Sequence, residues 1–272
     1  MTQVALVALY GEKKGELSQL RELIESCQDY VKDHLGTAFK PYAPEQVHAT
    51  IVGLERCSGT ARQNLNFARQ HRRPRAIQMD FEGLLGFLRS SGRLPFEAQI
   101  AGFRDREYPF VSDPFETNND YRPYDRSFSI QGGIVVMVGW PIRGRPWDTA
   151  PTMPHEFVQE SRVYPLTLDK IRRAAQRYGV LHGYHRTNTA VDNDLFFRIG
   201  LLRSAPSEQF TRILSQEVRA RLSNTAPVIV EITLENLYVV AYESSELPVD
   251  TTRVWSLADN RITSQFVADL YR

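Results

Sequence analysis

His48 and Thr50 are the two side chains of this 272-residue sequence whose types and spacing best suit chemistry. They lie in Val47-His48-Ala49-Thr50-Ile51-Val52-Gly53-Leu54, a run that alternates as a strand does. Successive strand side chains point to opposite faces, so Val47, Ala49 and Ile51 share one face and His48, Thr50 and Val52 the other. An imidazole and a hydroxyl then stand side by side on a rigid element. Histidine exchanges a proton near neutral pH and a hydroxyl holds an anionic oxygen, a pairing suited to work on a phosphate. A His-x-Thr triplet in a strand is often incidental, so its weight depends on its surroundings.

The elements that must position this pair can be read in order. Residues 4–10 form a buried central strand, and a turn at 11–15 leads to a helix carried by Leu17, Leu20, Leu23 and Ile24 and ending before Gly36. Pro44 disfavours helix before it, so 42–45 is a loop leading to the His48 strand. A helical turn at 60–68, a basic surface loop at 71–75, a short helix at 81–88 and a strand at 96–103 follow. Residues 104–127 and 141–165 are long polar stretches expected to be irregular, and such loops are lids, binding loops or disorder. Between them, 128–140 reads as one central strand. A helix at 166–178 closed by Gly179, a strand at 195–202, a helix from 207 to 222 and strands at 228–234 and 236–242 come next. Residues 256–271 finish with a helix.

Bulk composition narrows the function. The 42% hydrophobic content supports a sizeable core. A net charge of +1 raises no broad field, so neither duplex DNA nor a membrane surface is an expected partner. The first ten residues lack the basic lead-in and cleavage site of a signal peptide, and no apolar run approaches the ~20 residues of a membrane span. A cytoplasmic location is expected. The basic residues are 28 arginines and 5 lysines. Arginine grips phosphate by a planar fork, although arginine-rich codon usage accounts for most of them. Cys27 and Cys57 read as reduced and buried, with no metal-ligand spacing to a histidine. No metal and no cofactor is expected. Gly-x-Ser-x-Gly elbows, phosphate loops ending Gly-Lys-Ser/Thr, and His-Glu-x-x-His are all missing from the sequence.

Taken together, the strand of residues 4–9, the Pro44-Glu45 loop, the Val47-His48-Ala49-Thr50-Ile51 strand and the late elements ending in Leu237-Tyr238-Val239-Val240-Ala241-Tyr242 resemble the 2H phosphoesterase superfamily, which includes the 2′,5′ RNA ligase-like cyclic phosphodiesterases. The resemblance implies an α+β fold: two pseudo-symmetric lobes over 1–248, each an antiparallel sheet with outer helices, around a central cleft. Residues 249–272 would be a C-terminal extension, and 104–127 and 141–165 long insert loops. It also implies two facing His-x-Thr/Ser motifs, one His acting as base and the other protonating the leaving oxygen, without a metal. That agrees with the chemistry, because breaking a phosphodiester needs a proton removed on one side and delivered on the other.

Here the second motif is degenerate. By position it falls on Phe197-Arg198-Ile199-Gly200-Leu201, with Arg198 in place of His and Gly200 in place of Thr or Ser. Arginine cannot exchange a proton near pH 7, but it clamps phosphate. Gly200 leaves room for a close ligand or backbone. His185-Arg186-Thr187 also reads His-x-Thr, although its position is early for the motif; otherwise His185 and His182 have surface or cap roles. Tyr10, Tyr184 and Tyr242 are candidates to line a pocket and stack on a base. The expected site is therefore His48, Thr50 and His185 as catalytic residues, with Arg198, Gly200, Tyr10, Tyr184 and Arg186 binding substrate. The expected ligand is a nucleotide or RNA-end phosphate. The expected activity is a cyclic phosphodiesterase; the alternatives are a binding module that lost the chemistry, or a fold kept for protein contact through 104–165.

Overall fold

Alternation builds the centre of the molecule. In β1 (Gln3–Ala8), Val4, Leu6 and Ala8 face one way and Ala5 and Val7 the other, and all five are buried, as a central strand requires. The computed structural model describes residues 1–57, 62–70, 77–104, 123–144, 165–183, 192–204 and 206–272. After β1, α1 (Ser18–Leu35) turns Leu20, Leu23, Ile24, Cys27 and Val31 inward at helical spacing. β2 (Phe39–Pro41) and β3 (Ala49–Gly53) follow, then α2 (Leu65–Gln70) and α3 (Phe81–Ser90). The Asp80 carboxylate caps α3 by accepting from the Gly83 N–H. Next come β4 (Phe96–Ile100), α4 (Pro123–Arg126), β5 (Phe128–Gln131), β6 (Ile134–Arg143), α5 (Thr167–Arg177) and β7 (Leu195–Leu202). The chain ends with α6 (Glu208–Asn224), β8 (Val228–Ile232), β9 (Leu237–Tyr242), β10 (Arg253–Ser256) and α7 (Ser264–Asp269).

The strands form one antiparallel sheet in the order β10-β9-β1-β3-β7-β6-β4-β8, with β2 paired to β7 and β5 to β6. The fold is α+β, as expected. The sheet has two halves, β10-β9-β1-β3 and β7-β6-β4-β8 with β2 and β5 added to the second, which meet, among the described residues, through the single pair Ala49↔Phe197. One face carries the main core, where Leu6, Ile51, Met137 and Phe197 pack with Leu20, Ile24, Leu168 and Leu214 of the helices. The other face carries two smaller clusters. Ala5, Val7, Tyr10, Val240, Tyr242 and Leu247 form one, on the first half; Phe103, Val136, Val138 and Trp140 form the other, on the second.

Several expectations need correction. Residues 128–140 are a hairpin rather than one strand: Gly132 and Gly133, at φ +55° and +85°, supply the left-handed turn that a two-residue hairpin needs. Helix in 256–271 is confined to α7, with Thr263 as its cap. Within the stretch 104–127, residues 123–126 are helical, and β6 runs on to Arg143. Apart from these corrections, residues 249–272 supply β10 to the sheet, and Tyr271 packs on Phe81 and donates to the Leu54 carbonyl. Cys27 is buried, and its thiol is pushed up to about 12 by burial, but Cys57 is half-buried rather than buried.

Candidate functional site

His48 lies immediately before β3, in the last residue of the loop that Pro44 begins. Ala49 faces the main core opposite Phe197, so one step further along the antiparallel register His48 and Arg198 come opposite each other on the second face. The electrostatics agree, since the Arg198 charge is one of the forces acting on His48. Thr50 is on the same face: it pairs with Val7, which in turn pairs with Tyr238. The structure thus gathers His48, Thr50, Arg198 and Tyr10 on one face near the junction of the half-sheets.

His48 is 7% exposed. Its Nδ1 is 2.7 Å from the carbonyl of Gln46. A carbonyl can only accept, so Nδ1 carries the proton and Nε2 the lone pair. Burial pushes the imidazole down to about 4, opposed by the Gln46 hydrogen bond and helped by the positive charges of Arg198 and Lys13. At neutral pH His48 is therefore a neutral base with a fixed tautomer.

Tyr10 reaches this face through a backbone irregularity. Leu9 has φ +63° and packs in the main core with Ala8, which breaks the strand's alternation and delivers Tyr10 to the opposite face. The Tyr10 ring lies 5.7 Å from the His48 ring, tilted by 55°. Tyr242 is on this face too, but its hydroxyl donates to Glu55 at 2.7 Å. Tyr184, His185 and Arg186 lie outside the described residues, as do the basic run 71–75 and most of the two long loops. His182 is described and is buried rather than on the surface, its Nε2 3.6 Å from the Asp192 carboxylate.

Gly200 has no room for a ligand. A Cβ there would come 2.4 Å from the Phe39 ring and 2.6 Å from the Lys40 carbonyl, because β2 crosses close over it in the Pro41↔Gly200 pair. The space left by the missing side chain holds the Phe39 ring and the Lys40 carbonyl. Gly200→Ser, which would add a hydroxyl at this position, is expected to destabilise the fold by about 1–3 kcal/mol. Urea unfolding of the variant checks this, and an unchanged midpoint would contradict the crowding.

Sequence reasoning missed two features. Lys13 is 1% exposed, donating to the Gly11 carbonyl at 3.2 Å and the Pro44 carbonyl at 2.6 Å. It ties the turn after β1 to the loop before His48, and burial lowers its amine to about 8. A lysine in a Glu-Lys-Lys turn gives no sign in sequence that it will be enclosed. The second is Arg172 of α5, also 1% exposed. Its guanidinium donates to the carbonyls of Thr50 (2.9 Å), Ile51 (3.0 Å), Asp192 (3.1 Å) and Asp194 (3.1 Å), and to the Asp192 carboxylate (2.6 Å). Beyond the Ala49↔Phe197 pair the half-sheets separate, and Arg172 satisfies the carbonyls that a partner strand would otherwise take. The backbone of Thr50 is held by this wedge.

Among the described residues, no group of His, Cys, Asp and Glu side chains has the arrangement of a metal site. No helix among them is long and apolar enough to cross a membrane. A groove of about 400 Å³ lies at the other end of the sheet, between Leu94–Glu97, Arg143 and Glu231. It brings no histidine or cysteine, and it is lined by none of the residues gathered around His48.

No family model matches the chain, and no curated protein matches it. Among solved structures, TT0787 of Thermus thermophilus is 11% identical with a TM-score of 0.37, over 93% of this chain and 93% of that one. A structure described as a phosphoesterase is 13% identical with a TM-score of 0.35, over 95% of this chain and 100% of that one. Scores this low assign neither family nor function.

Proposed function

We propose that the protein is a metal-independent phosphoesterase acting on a cyclic phosphate, a cyclic nucleotide or an RNA 2′/3′ end. The observation that carries this reading is the neutral His48, its Nδ1–H held by Gln46 and its surroundings made cationic by Arg198 and Lys13. A base with a fixed lone pair beside a guanidinium suits an anionic substrate whose hydroxyl or attacking water must lose a proton. Arg198 would hold the phosphate with the Thr50 hydroxyl, and the Tyr10 ring would flank the base. These residues supply both the charge and the proton acceptor, so the reading calls for no metal.

A second reading is favoured by Arg198 itself. A guanidinium where the family pattern has its second histidine keeps the anion clamp and loses a proton carrier. The protein would then bind a nucleotide or RNA-end phosphate without turning it over, unless His185 supplies the missing proton.

The test is incubation with 2′,3′-cyclic nucleotides and short 2′–5′ linked oligonucleotides in EDTA, beside His48→Ala and His185→Ala. Turnover that survives EDTA and falls by roughly 10²–10⁴ in His48→Ala is the expected result. Binding without turnover would replace the enzyme by the binding module. Absence of any phosphate binding would end both readings and leave a role in protein contact.

A further inference from the structure

The turn that follows β9 is tied down by side chains from four separate segments. Tyr10 donates to the Leu247 carbonyl at 2.8 Å, and the Gln46 side chain donates to the Glu246 carbonyl. Lys40 pairs with the Glu246 carboxylate at 3.2 Å, and Arg198 donates to the Ser245 carbonyl at 3.5 Å. Tyr10, Gln46 and Arg198 are also the neighbours that surround or orient His48. One short segment is thus fastened to the residues that make up the candidate site.

We propose that residues 244–247 are a displaceable strap that holds the site closed, the Ser245 carbonyl standing where an anionic ligand would engage Arg198. The inference rests on the reading of His48 and Arg198 as an anion site.

The fastening is of a kind that can be released. Ser244 and Ser245 are exposed and Glu246 is half-buried; Leu247 alone is buried. Leu247 has φ +52°, a conformation unfavourable for a residue with a Cβ, and the apolar pocket beside Tyr10 and Tyr242 must hold it there. The Lys40–Glu246 pair is half-exposed, where ion pairs contribute little. The bond from Arg198 to Ser245 is at the long limit for a hydrogen bond. A phosphate oxygen would approach at about 2.7–2.9 Å with charge assistance and displace a neutral carbonyl.

The test is the rate at which diethyl pyrocarbonate modifies His48 at pH 6, mapped by peptide mass spectrometry, with His34 as the internal reference. Its side chain is 35% exposed. Hydrogen exchange of peptides spanning 243–249 is read in parallel, with and without inorganic phosphate. In the intact protein His48 should react at least tenfold more slowly than His34. Leu247→Gly, which removes the apolar anchor and relieves the backbone, should raise the His48 rate about tenfold. Lys40→Ala, a surface change that leaves the core untouched, should raise it two- to threefold. Phosphate should speed exchange in 243–249. The proposal is overturned if His48 reacts as fast as His34, or if Leu247→Gly and Lys40→Ala both leave its rate unchanged. It is also overturned if phosphate protects His48 without altering exchange in the strap. Faster modification in both variants, with no effect of phosphate or of 2′,3′-cyclic nucleotide, would keep the strap and remove the anion-site reading.

Discussion

Arg172→Met is expected to cost about 3–5 kcal/mol of stability, as breaking a buried ion pair from one side does. The substitution keeps much of the volume and removes the guanidinium. It takes a donor away from the carbonyls of Thr50, Ile51, Asp192 and Asp194, and the Asp192 carboxylate loses the guanidinium that lies 2.6 Å from it in a buried setting. Most of the cost comes from charge and carbonyls left desolvated rather than from an ion pair lost as such. Arg172→Met with Asp192→Ala should therefore be less destabilised than the sum of the two single variants, by about 1–3 kcal/mol. Urea unfolding at pH 7 measures both quantities. A loss below about 1 kcal/mol in Arg172→Met would show that the half-sheets close without the wedge.

The second large effect is a dependence of stability on acid that His48 imposes. Its native pKa is about 4 against 6.5 for the free side chain, chiefly through burial. Between those two values the unfolded chain binds the proton and the native one does not, so stability rises with pH across this window and falls as pH is lowered through it. The shift corresponds to on the order of 3 kcal/mol, lost between pH 6.5 and 4. His48→Gln should remove most of that slope, which unfolding at pH 4.5, 5.5 and 6.5 would reveal; equal slopes in the two proteins would mean that His48 titrates normally. Lys13 acts at the other end of the scale. Its amine is lowered to about 8, so between 8 and 10.5 the unfolded chain again holds the extra proton, and stability should rise with pH there as well. If the phosphoesterase reading holds, kcat/KM should show no acid limb from His48 until about pH 4.

The local patterns were legible for physical reasons. Apolar runs such as 4–8 and 195–202 fold as strands because a central strand buries what the sequence made apolar. The helices α1 and α5 follow from apolar positions at helical spacing, with Gly36 and Gly179 beyond their ends. His48 and Thr50 were visible because a two-residue spacing in a strand puts both on one face. Arg198 was visible because it stands at a particular place in the order of elements.

Other features were out of reach because they depend on what crosses what. Gly200 could have admitted a ligand or a strand, and only the path of β2 decided it. Tyr10 would point into the main core if alternation held, but the turn at Leu9 sends it to His48.

By itself the sequence determined the strands and helices of which the fold is built and the two-residue spacing that brings an imidazole and a hydroxyl together, while a resemblance in the order of elements singled out Arg198. The elements and the spacing rest on near-neighbour periodicity, which survives without knowledge of the rest of the chain. Only the tertiary structure decided that His48 is enclosed and neutral, that Lys13 and Arg172 are buried at its margins, and that the turn after β9 is fastened to its neighbours. Burial, desolvation and hydrogen bonds between distant residues have no representation in local sequence, because each is a property of the space between segments.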